Sequence, residues 1–405
     1  MPTVVISPYN MASFPEGGGH FWVYMQYGQA MLRSGCEVYW LECFNPTADP
    51  DRDNFVLHTF LERMGKYGFA DKVIVYTKPE RLGELRFDDF VNVSRSKAEA
   101  IFRRADLLLN FHQRIDPALL ASFRRTALVD IDPGLLQFWI GTGQLQISTH
   151  DLYFTIGETV GTPAAMFPDC GLEWIHIRPP VCLEAWQYVY DPNCAAFTTV
   201  SSWWGDEWIT DGNGCCYENN KRVSFLDFVE LPQKTSQTLE LALYLGDEPA
   251  KSKEELERSR GGFEPKHPFM SDDEHRTLLQ THGWRIRHSA RVAGTPELYQ
   301  SYIQGSRGEF SCAKPSCMKF QNAWVSDRTV SYLASGKPAV IQDTGPSTFL
   351  PNGEGMVRFS TIEEAAEAFI SINASYERHC RAAREIAEAF FDGKRVAETI
   401  LNNAL

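Results

Sequence analysis

Residues Gly308–Gly345 read GEFSCAKPSCMKFQNAWVSDRTVSYLASGKPAVIQDTG, and the punctuation of this stretch decides the fold. Ser326 or Asp327 can cap a helix start. Val330, Leu333 and Ala334 give that helix a short apolar face. Gly336 ends it, and Lys337-Pro338 block its continuation. Ala339-Val340-Ile341 is apolar throughout, the mark of a strand buried in a parallel sheet. The run stops at the polar turn Gln342-Asp343-Thr344-Gly345-Pro346. A helix start and the carboxyl end of a strand therefore lie close together. Open α/β sheets bind ligands at such places, and anions favour helix starts. Lys314, Lys319 and Arg328 add positive charge to the stretch.

The same alternation recurs towards the N-terminus. Thr3–Ser7 reads as an apolar strand that breaks at Pro8-Tyr9-Asn10. The loop from Met11 ends in Pro15-Glu16-Gly17-Gly18-Gly19. From His20 to Arg33, Phe21, Tyr24, Met31 and Leu32 fall at helical spacing, and Glu37–Glu42 reads as the next strand. This is β-loop-α-β, half of a doubly wound domain. The glycines let a ligand approach the backbone, but they do not spell GxGxxG, so NAD is not expected. Further strands are expected at Val73–Tyr76, Asp106–Asn110, Ala127–Asp132 and Leu152–Ile156, with a helix at Arg95–Arg104 between the first two. Polar residues recur at strand ends: Asn10, His112, Asp130, Asp132 and Glu158.

In the second half, Val223–Phe228 is expected as the strand that opens a new domain, with a helix near Ser236–Leu243. Asp273–Thr281, Pro296–Ile303 and Ile362–Phe391 read as helical, and Trp284–His288 as a strand. The turn-rich tract Asp211–Asn220 is the linker candidate, and the charged tract Ala250–Asp273 reads as a surface insertion.

Ser-Gly-x-Pro after a helix, then a buried strand and a glycine turn, resembles the nucleotide-sugar half of GT-B glycosyltransferases. The run SRGEFSCAK…WVSDRTVSYLASGKPAVIQDTG is similar to bacterial glycosyltransferases of the family 1 and family 4 type. The resemblance is good over the last third of the chain and weaker over the N-terminal half. It implies an α/β fold of two Rossmann-like domains facing each other across a cleft. Residues 1–215 would bind the acceptor and residues 221–390 the nucleotide sugar. Residues 391–405 would form a helix that crosses back to the first domain. It also implies sugar transfer from a nucleotide-sugar donor, a UDP-sugar first of all, to an acceptor hydroxyl, without a metal or other cofactor. The acceptor, a small molecule or a glycan, is not named by it.

Composition sets the outer bounds. The chain has 405 residues, enough for two domains, with 43% hydrophobic and 13% aromatic residues. No apolar run approaches the roughly 20 residues of a membrane-spanning helix. Met1-Pro2-Thr3-Val4 lacks the basic start of a signal peptide, so a cytoplasmic protein is expected. A net charge of −13 argues against a general nucleic-acid binder. Ten cysteines without a C-x-x-C pair point to reduced thiols rather than a disulfide or zinc framework.

The candidate residues each have two readings. His20 follows the glycines after the first strand, where many inverting GT-B enzymes carry a histidine base; its ordinary pKa suits that work. It equally reads as a ring lining the ligand edge. Asp130 or Asp132 can orient or replace it, or anchor loops. Their D-x-D form is used for metal in other glycosyltransferases, but no metal is expected here. Gly18, Gly19, Trp22 and Glu158 are the acceptor-side candidates; Phe21-Trp22, Phe138-Trp139 and Trp203-Trp204 read as a stacking wall or as core. On the donor side, Arg307 and Lys314 can neutralise a diphosphate, or pair at the surface. Ser306 and Gly308 flank Arg307, and Glu309 can meet a hydroxyl. Ser326, Asp327 and Arg328 open the helix described above, while Asp343 and Gly345 form the closing turn. GT-B relatives carry a ribose-binding Glu where this chain has Ser331.

Three functions follow as expectations: a glycosyltransferase, a sugar-nucleotide-binding protein without transfer, or a transferase acting on a modified nucleic-acid base. The acidic charge disfavours the last.

Overall fold

The computed structural model describes residues 1–77, 90–204, 208–210, 216–245 and 266–405. Most of the expected insertion and the start of the expected linker, 250–265 and 211–215, lie outside the described residues. The chain divides into two compact units. The first holds Met1–Pro163, Phe167–Cys182 and Phe391–Leu405; the second holds Ala164–Met166 and Leu183–Phe390.

The first unit is built on seven parallel strands: β1 (Thr3–Ser7), β2 (Glu37–Phe44), β3 (Val73–Thr77), β4 (Leu107–Asn110), β5 (Thr126–Asp130), β6 (Leu152–Thr155) and β7 (Trp174–His176). Their order across the sheet is β3-β2-β1-β4-β5-β6-β7. β1 is buried at every position, as a central parallel strand must be. The order reverses between β1 and β4, the switch point where doubly wound sheets bind ligands. The helix Gly18–Arg33 packs on the closing helix Gly393–Ala404. Gly393 N–H donates to the Val181 carbonyl at 2.9 Å, and Val181 N–H to the Phe391 carbonyl at 2.8 Å.

The second unit has six parallel strands, β8 (Ala196–Ser202), β11 (Thr238–Tyr244), β12 (Arg285–His288), β13 (Gly308–Ser311), β14 (Ala339–Gln342) and β15 (Met356–Phe359). Their order is β12-β11-β8-β13-β14-β15, the same pattern as the first six strands of the first sheet. The switch point lies between β8 and β13. An antiparallel pair, β9 (Trp208–Thr210) with β10 (Cys216–Glu218), stands apart. Phe197, Phe310, Phe359 and Phe369 meet in the core of this unit; each such ring contributes about 1.5–3 kcal/mol on burial.

Three expectations change here. Residues 196–202, expected within the first domain of residues 1–215, form the first strand of the second sheet, paired with β11 and β13. Val223–Phe228 is not a strand but lies largely in the helix Lys221–Asp227; Val223 with Leu226 and Phe225 with Phe228 are each three residues apart, a helical spacing. Ser236–Leu243 is not a helix: Leu239, Leu241 and Leu243 alternate, and the segment forms β11. Among the described residues no helix is long and apolar enough to cross a membrane, and Cys36, Cys43, Cys170, Cys182, Cys194, Cys312, Cys317 and Cys380 are free thiols.

Candidate functional site

In the first unit, the segment after β1 turns at Asn10, whose φ is 55°. Gly17 then enters the helix Gly18–Arg33; a Cβ there would stand 2.2 Å from the Phe14 ring. This brings His20 back over the strand end. Its Nε2 bonds the Tyr9 carbonyl at 2.9 Å, which makes Nε2 the donor. Its half-buried ring meets Phe14 and Tyr24 edge-on, at 5.9 and 5.2 Å. Burial pulls its pKa below the ordinary histidine value, while the Tyr9 and Asn10 carbonyls act against that. The His112 ring, at the end of β4, lies 5.3 Å from that of Tyr9. His20, Tyr9 and His112 therefore gather at the β1/β4 switch point.

Asp130 is sealed in beside this edge, 1% exposed. Its carboxylate accepts from Gln137 Nε2 and Thr155 Oγ1, both at 2.8 Å, and from the Asp132 amide at 3.0 Å. Burial outweighs these bonds and pushes its pKa up to about 7. The side-chain bonds tie β5 to β6 and to the helix Leu135–Gly141 and the amide bond fixes the turn to Asp132, so Asp130 is bonded as a loop anchor and none of these bonds reaches His20. Asp132 is exposed.

Gly18 is buried and Gly19 half-buried in the first helical turn. Trp22 is 2% exposed and packs edge-on to Tyr67 at 5.4 Å, so it belongs to the core rather than to a stacking wall. Trp203 is likewise buried. Glu158 is half-buried and faces the charge of Arg178.

The sequence did not single out Glu42. It is fully buried on β2 and accepts from the Ala12 amide at 2.8 Å and Trp40 Nε1 at 3.2 Å, tying down the loop that leads to His20. Burial pushes its pKa up to about 7.

In the second unit, Arg328 crosses the β8/β13 switch point. Its Nε donates to Glu309 Oε1 at 2.7 Å, Nη1 to the Val200 carbonyl at 2.9 Å, and Nη2 to Ser311 Oγ. Glu309 is 0% exposed, and its Oε2 accepts no hydrogen bond from the described residues. Ser326 caps the helix Asp327–Ala334, accepting from the Arg328 amide at 3.2 Å. Asp327 is half-buried, and burial raises its pKa against the pull of Arg328 and Lys221. Ser331 Oγ donates to the Asp327 carbonyl at 3.1 Å. The closing turn is fixed by Asp343, which accepts from Gly345 N–H at 3.0 Å and pairs with Arg358. Gly345 has φ 121°, and a Cβ on it would lie 2.8 Å from the Gln321 backbone. Asp343 is thus already engaged in holding its own turn.

Lys221 is the residue that sequence reasoning missed. It opens a helix directly after the linker candidate Asp211–Asn220, where a strand had been expected from Val223, so nothing marked it as part of a site. Half-buried, its ammonium sits among Arg328, Lys314, Asp327 and Glu309, and over the Trp324 ring at 5.7 Å. Burial first, and then the charges of Arg328 and Lys314, pull its pKa down to about 7. Glu218, three residues earlier, offers no relief: both of its oxygens are taken by Arg222, at 2.8 and 2.7 Å. Asn219 Oδ1 accepts from the Ser316 amide at 2.9 Å, which fixes the start of Lys221's helix beside the loop of Lys314.

Three donor-side candidates do not join this group. Ser306, Arg307 and Gly308 stand at the amino end of β13, whereas Lys314 and Ser326 follow carboxyl ends. Arg307 N–H donates to the carbonyl of Ala196, the first residue of β8, at 2.8 Å. The Arg307 side chain reaches Asn373 at 2.6 Å and lies 3.9 Å over Tyr376. Ser306 Oγ bonds Thr198 Oγ1 at 2.6 Å. Gly308 lets β13 pack closely; a Cβ there would stand 2.4 Å from Phe197 and from the Pro338 carbonyl. Among the described residues no three His, Cys, Asp or Glu side chains gather as a metal-binding group.

No family model matches the sequence. No curated protein matches it. Solved structures do match in three dimensions. The chain is similar to Anabaena HepE in complex with UDP-glucose, with a TM-score of 0.56 at 12% identity, covering 100% of this chain and 99% of that one. HepE in complex with UDP and glucose gives 0.53 at 12% identity over the same shares. A glycosyltransferase from Rickettsia africae gives 0.51 at 8% identity, covering 100% and 97%. Two parallel sheets of matching strand order, together with these likenesses, establish that the chain has the GT-B fold of glycosyltransferases.

Proposed function

We propose that this chain is a glycosyltransferase that takes a sugar from a nucleoside diphosphate, a UDP-sugar first of all, and passes it to an acceptor hydroxyl. One observation carries the reading. Lys221, Lys314 and Arg328 bring positive charge to the carboxyl-end edge at the β8/β13 switch point, where Asp327 offsets part of it and the buried carboxylate of Glu309 is already taken by Arg328. Lys221 bears the cost of burial first and of its like-charged neighbours second, and a bound diphosphate offsets both by supplying opposite charge. The leaving diphosphate gains negative charge as the glycosidic bond breaks, so the same cations favour the transition state over the bound donor. With two lysines beside the arginine, the proposed reaction uses no metal. HepE, similar in fold, is described in complex with UDP-glucose, which supports the choice of donor.

His20 is the proposed base. A neutral ring whose Nε2–H is held by the Tyr9 carbonyl keeps its lone pair on Nδ1, and a pKa below the ordinary value keeps the ring neutral at neutral pH. If His20 removes the acceptor proton, a single displacement with inversion at the anomeric carbon is favoured over retention.

Isothermal titration with UDP, GDP, ADP and TDP, with and without magnesium, followed by UDP-release assays on the matching nucleotide sugars, tests the reading. Binding of one nucleotide family without magnesium, weakened in Lys221→Met, is expected. No binding to any of them overturns it. A second reading, donor binding without transfer, is favoured by one observation: the bond recorded at the His20 ring is to a carbonyl, while Asp130 is committed elsewhere. Donor binding with no transfer to any acceptor would favour that reading, whereas loss of turnover in His20→Ala with donor binding intact would favour the first.

A further inference from the structure

Trp324 differs from Trp186, Trp203, Trp204 and Trp284. Trp186 and Trp203 are fully buried, and Trp284 is buried and donates to the Val229 carbonyl. Trp204, also half-buried and also under a cation, Arg222, is held by a bond to Asp272 and by the Phe269 and His275 rings. The Trp324 indole is half-buried at the ligand edge, with the Lys221 ammonium over its ring.

The backbone beneath it is fixed at some cost. Gln321 and Ala323, neither a glycine, have φ of 49° and 54°, a conformation that L-residues keep only where their surroundings impose it. The surroundings are specific. Ala323 N–H donates to the Thr344 carbonyl at 3.1 Å, Thr344 Oγ1 donates to the Trp324 carbonyl at 2.8 Å, and the Trp324 amide donates to Asn322 Oδ1 at 3.1 Å. Gly345 presses on the Gln321 backbone from the turn after β14. A large, flat, partly exposed ring is thus held on a strained and well-fastened loop, two residues before the cap of the helix that carries Arg328.

We propose that Trp324 is the stacking wall for a ring carried on the diphosphate, either the nucleoside's base or the pyranose of the sugar. The proposal rests on the donor-site reading above. In the free protein, Lys221 shares its charge with the indole face. A diphosphate is the stronger partner for an ammonium, because charge-assisted bonds outrank a cation–π contact at a half-exposed site. Lys221 then turns to the phosphate oxygens, and the indole face it leaves is free to take the ring attached to them. One movement couples recognition of charge to recognition of shape, so bare pyrophosphate meets only half of the site.

Calorimetric titration of wild type, Trp324→Phe and Trp324→Ala with pyrophosphate, UDP and UDP-glucose tests this. The expected result is a roughly tenfold loss of UDP or UDP-glucose affinity in Trp324→Ala, partial retention in Trp324→Phe, and an unchanged affinity for pyrophosphate. A loss for UDP and UDP-glucose alike assigns the ring to the base; a loss for UDP-glucose alone assigns it to the sugar. Equal losses for pyrophosphate and UDP, or no loss for either nucleotide, overturn the proposal while the donor site stands. Failure of the wild type to bind any nucleotide overturns the donor site, and this inference with it.

Discussion

Arg328 and Glu309 are joined by a 2.7 Å hydrogen bond inside the second unit, with Glu309 wholly buried. The arginine that the sequence offers to a phosphate is therefore first the partner of a carboxylate on β13. Removing one member leaves the other charge buried and unpaired, at a cost of about 3–5 kcal/mol. Glu309→Ala is expected to lower stability by that order in urea denaturation. A loss below about 1 kcal/mol would mean that water reaches the pair.

Lys221 links stability to binding with opposite signs. Its folded pKa, about 7, lies below that of an unfolded lysine, so the folded chain holds fewer protons between pH 7 and the unfolded value. Stability from this group therefore rises with pH across that window. Lys221→Met should raise the melting temperature at pH 7, flatten that rise and weaken UDP binding. A variant less stable than wild type at pH 7 contradicts the crowding of charge described here.

Asp130 titrates in the other direction. Its folded pKa, about 7, exceeds the unfolded carboxylate value, so its share of stability is full below the unfolded pKa and is lost as pH rises through 7. The difference in stability between wild type and Asp130→Asn, measured by denaturation from pH 4 to 8, should move in favour of the variant as pH rises. Donor turnover at pH 7 should stay within a few-fold of wild type. A collapse of turnover in a folded variant would return Asp130 to the catalytic group.

Gly308 separates packing from binding. Gly308→Ala drives a methyl group towards Phe197 and the Pro338 carbonyl, and is expected to cost about 1–3 kcal/mol. UDP affinity, measured by calorimetry on the folded variant, should be unchanged, because β13 meets the candidate site at its other end.

The fold was legible wherever local chemistry and tertiary role agree. Ala339–Ile341 between Pro338 and the Gln342 turn is a buried strand in any context, and Gly17–Gly19 after β1 announces a close turn. β8 was not legible as the founder of a sheet, because a strand carries no mark of which sheet it joins. β11 gave a period of two at Leu239, Leu241 and Leu243, but the period was misassigned to a helix. The site was half legible. Arg328 and Lys314 stand in a stretch whose character is plain, whereas Lys221 is brought to them only by the Asn219–Ser316 contact, ninety-seven residues apart. Arg307 looked like a phosphate ligand by its charge and neighbours, yet it precedes its strand rather than following it, and that places it at the opposite edge.

The helix Gly393–Ala404 belongs to the first unit although the whole of Leu183–Phe390 is encoded before it. On the ribosome the helix Gly18–Arg33 emerges early, but the partner that packs against it is translated only after the entire second sheet. The first unit thus spends most of its synthesis with that helix face uncovered, and the second unit has all of its strands in hand before the first is complete. Closure of the first unit around that helix therefore waits for a segment translated after the described strands of the second.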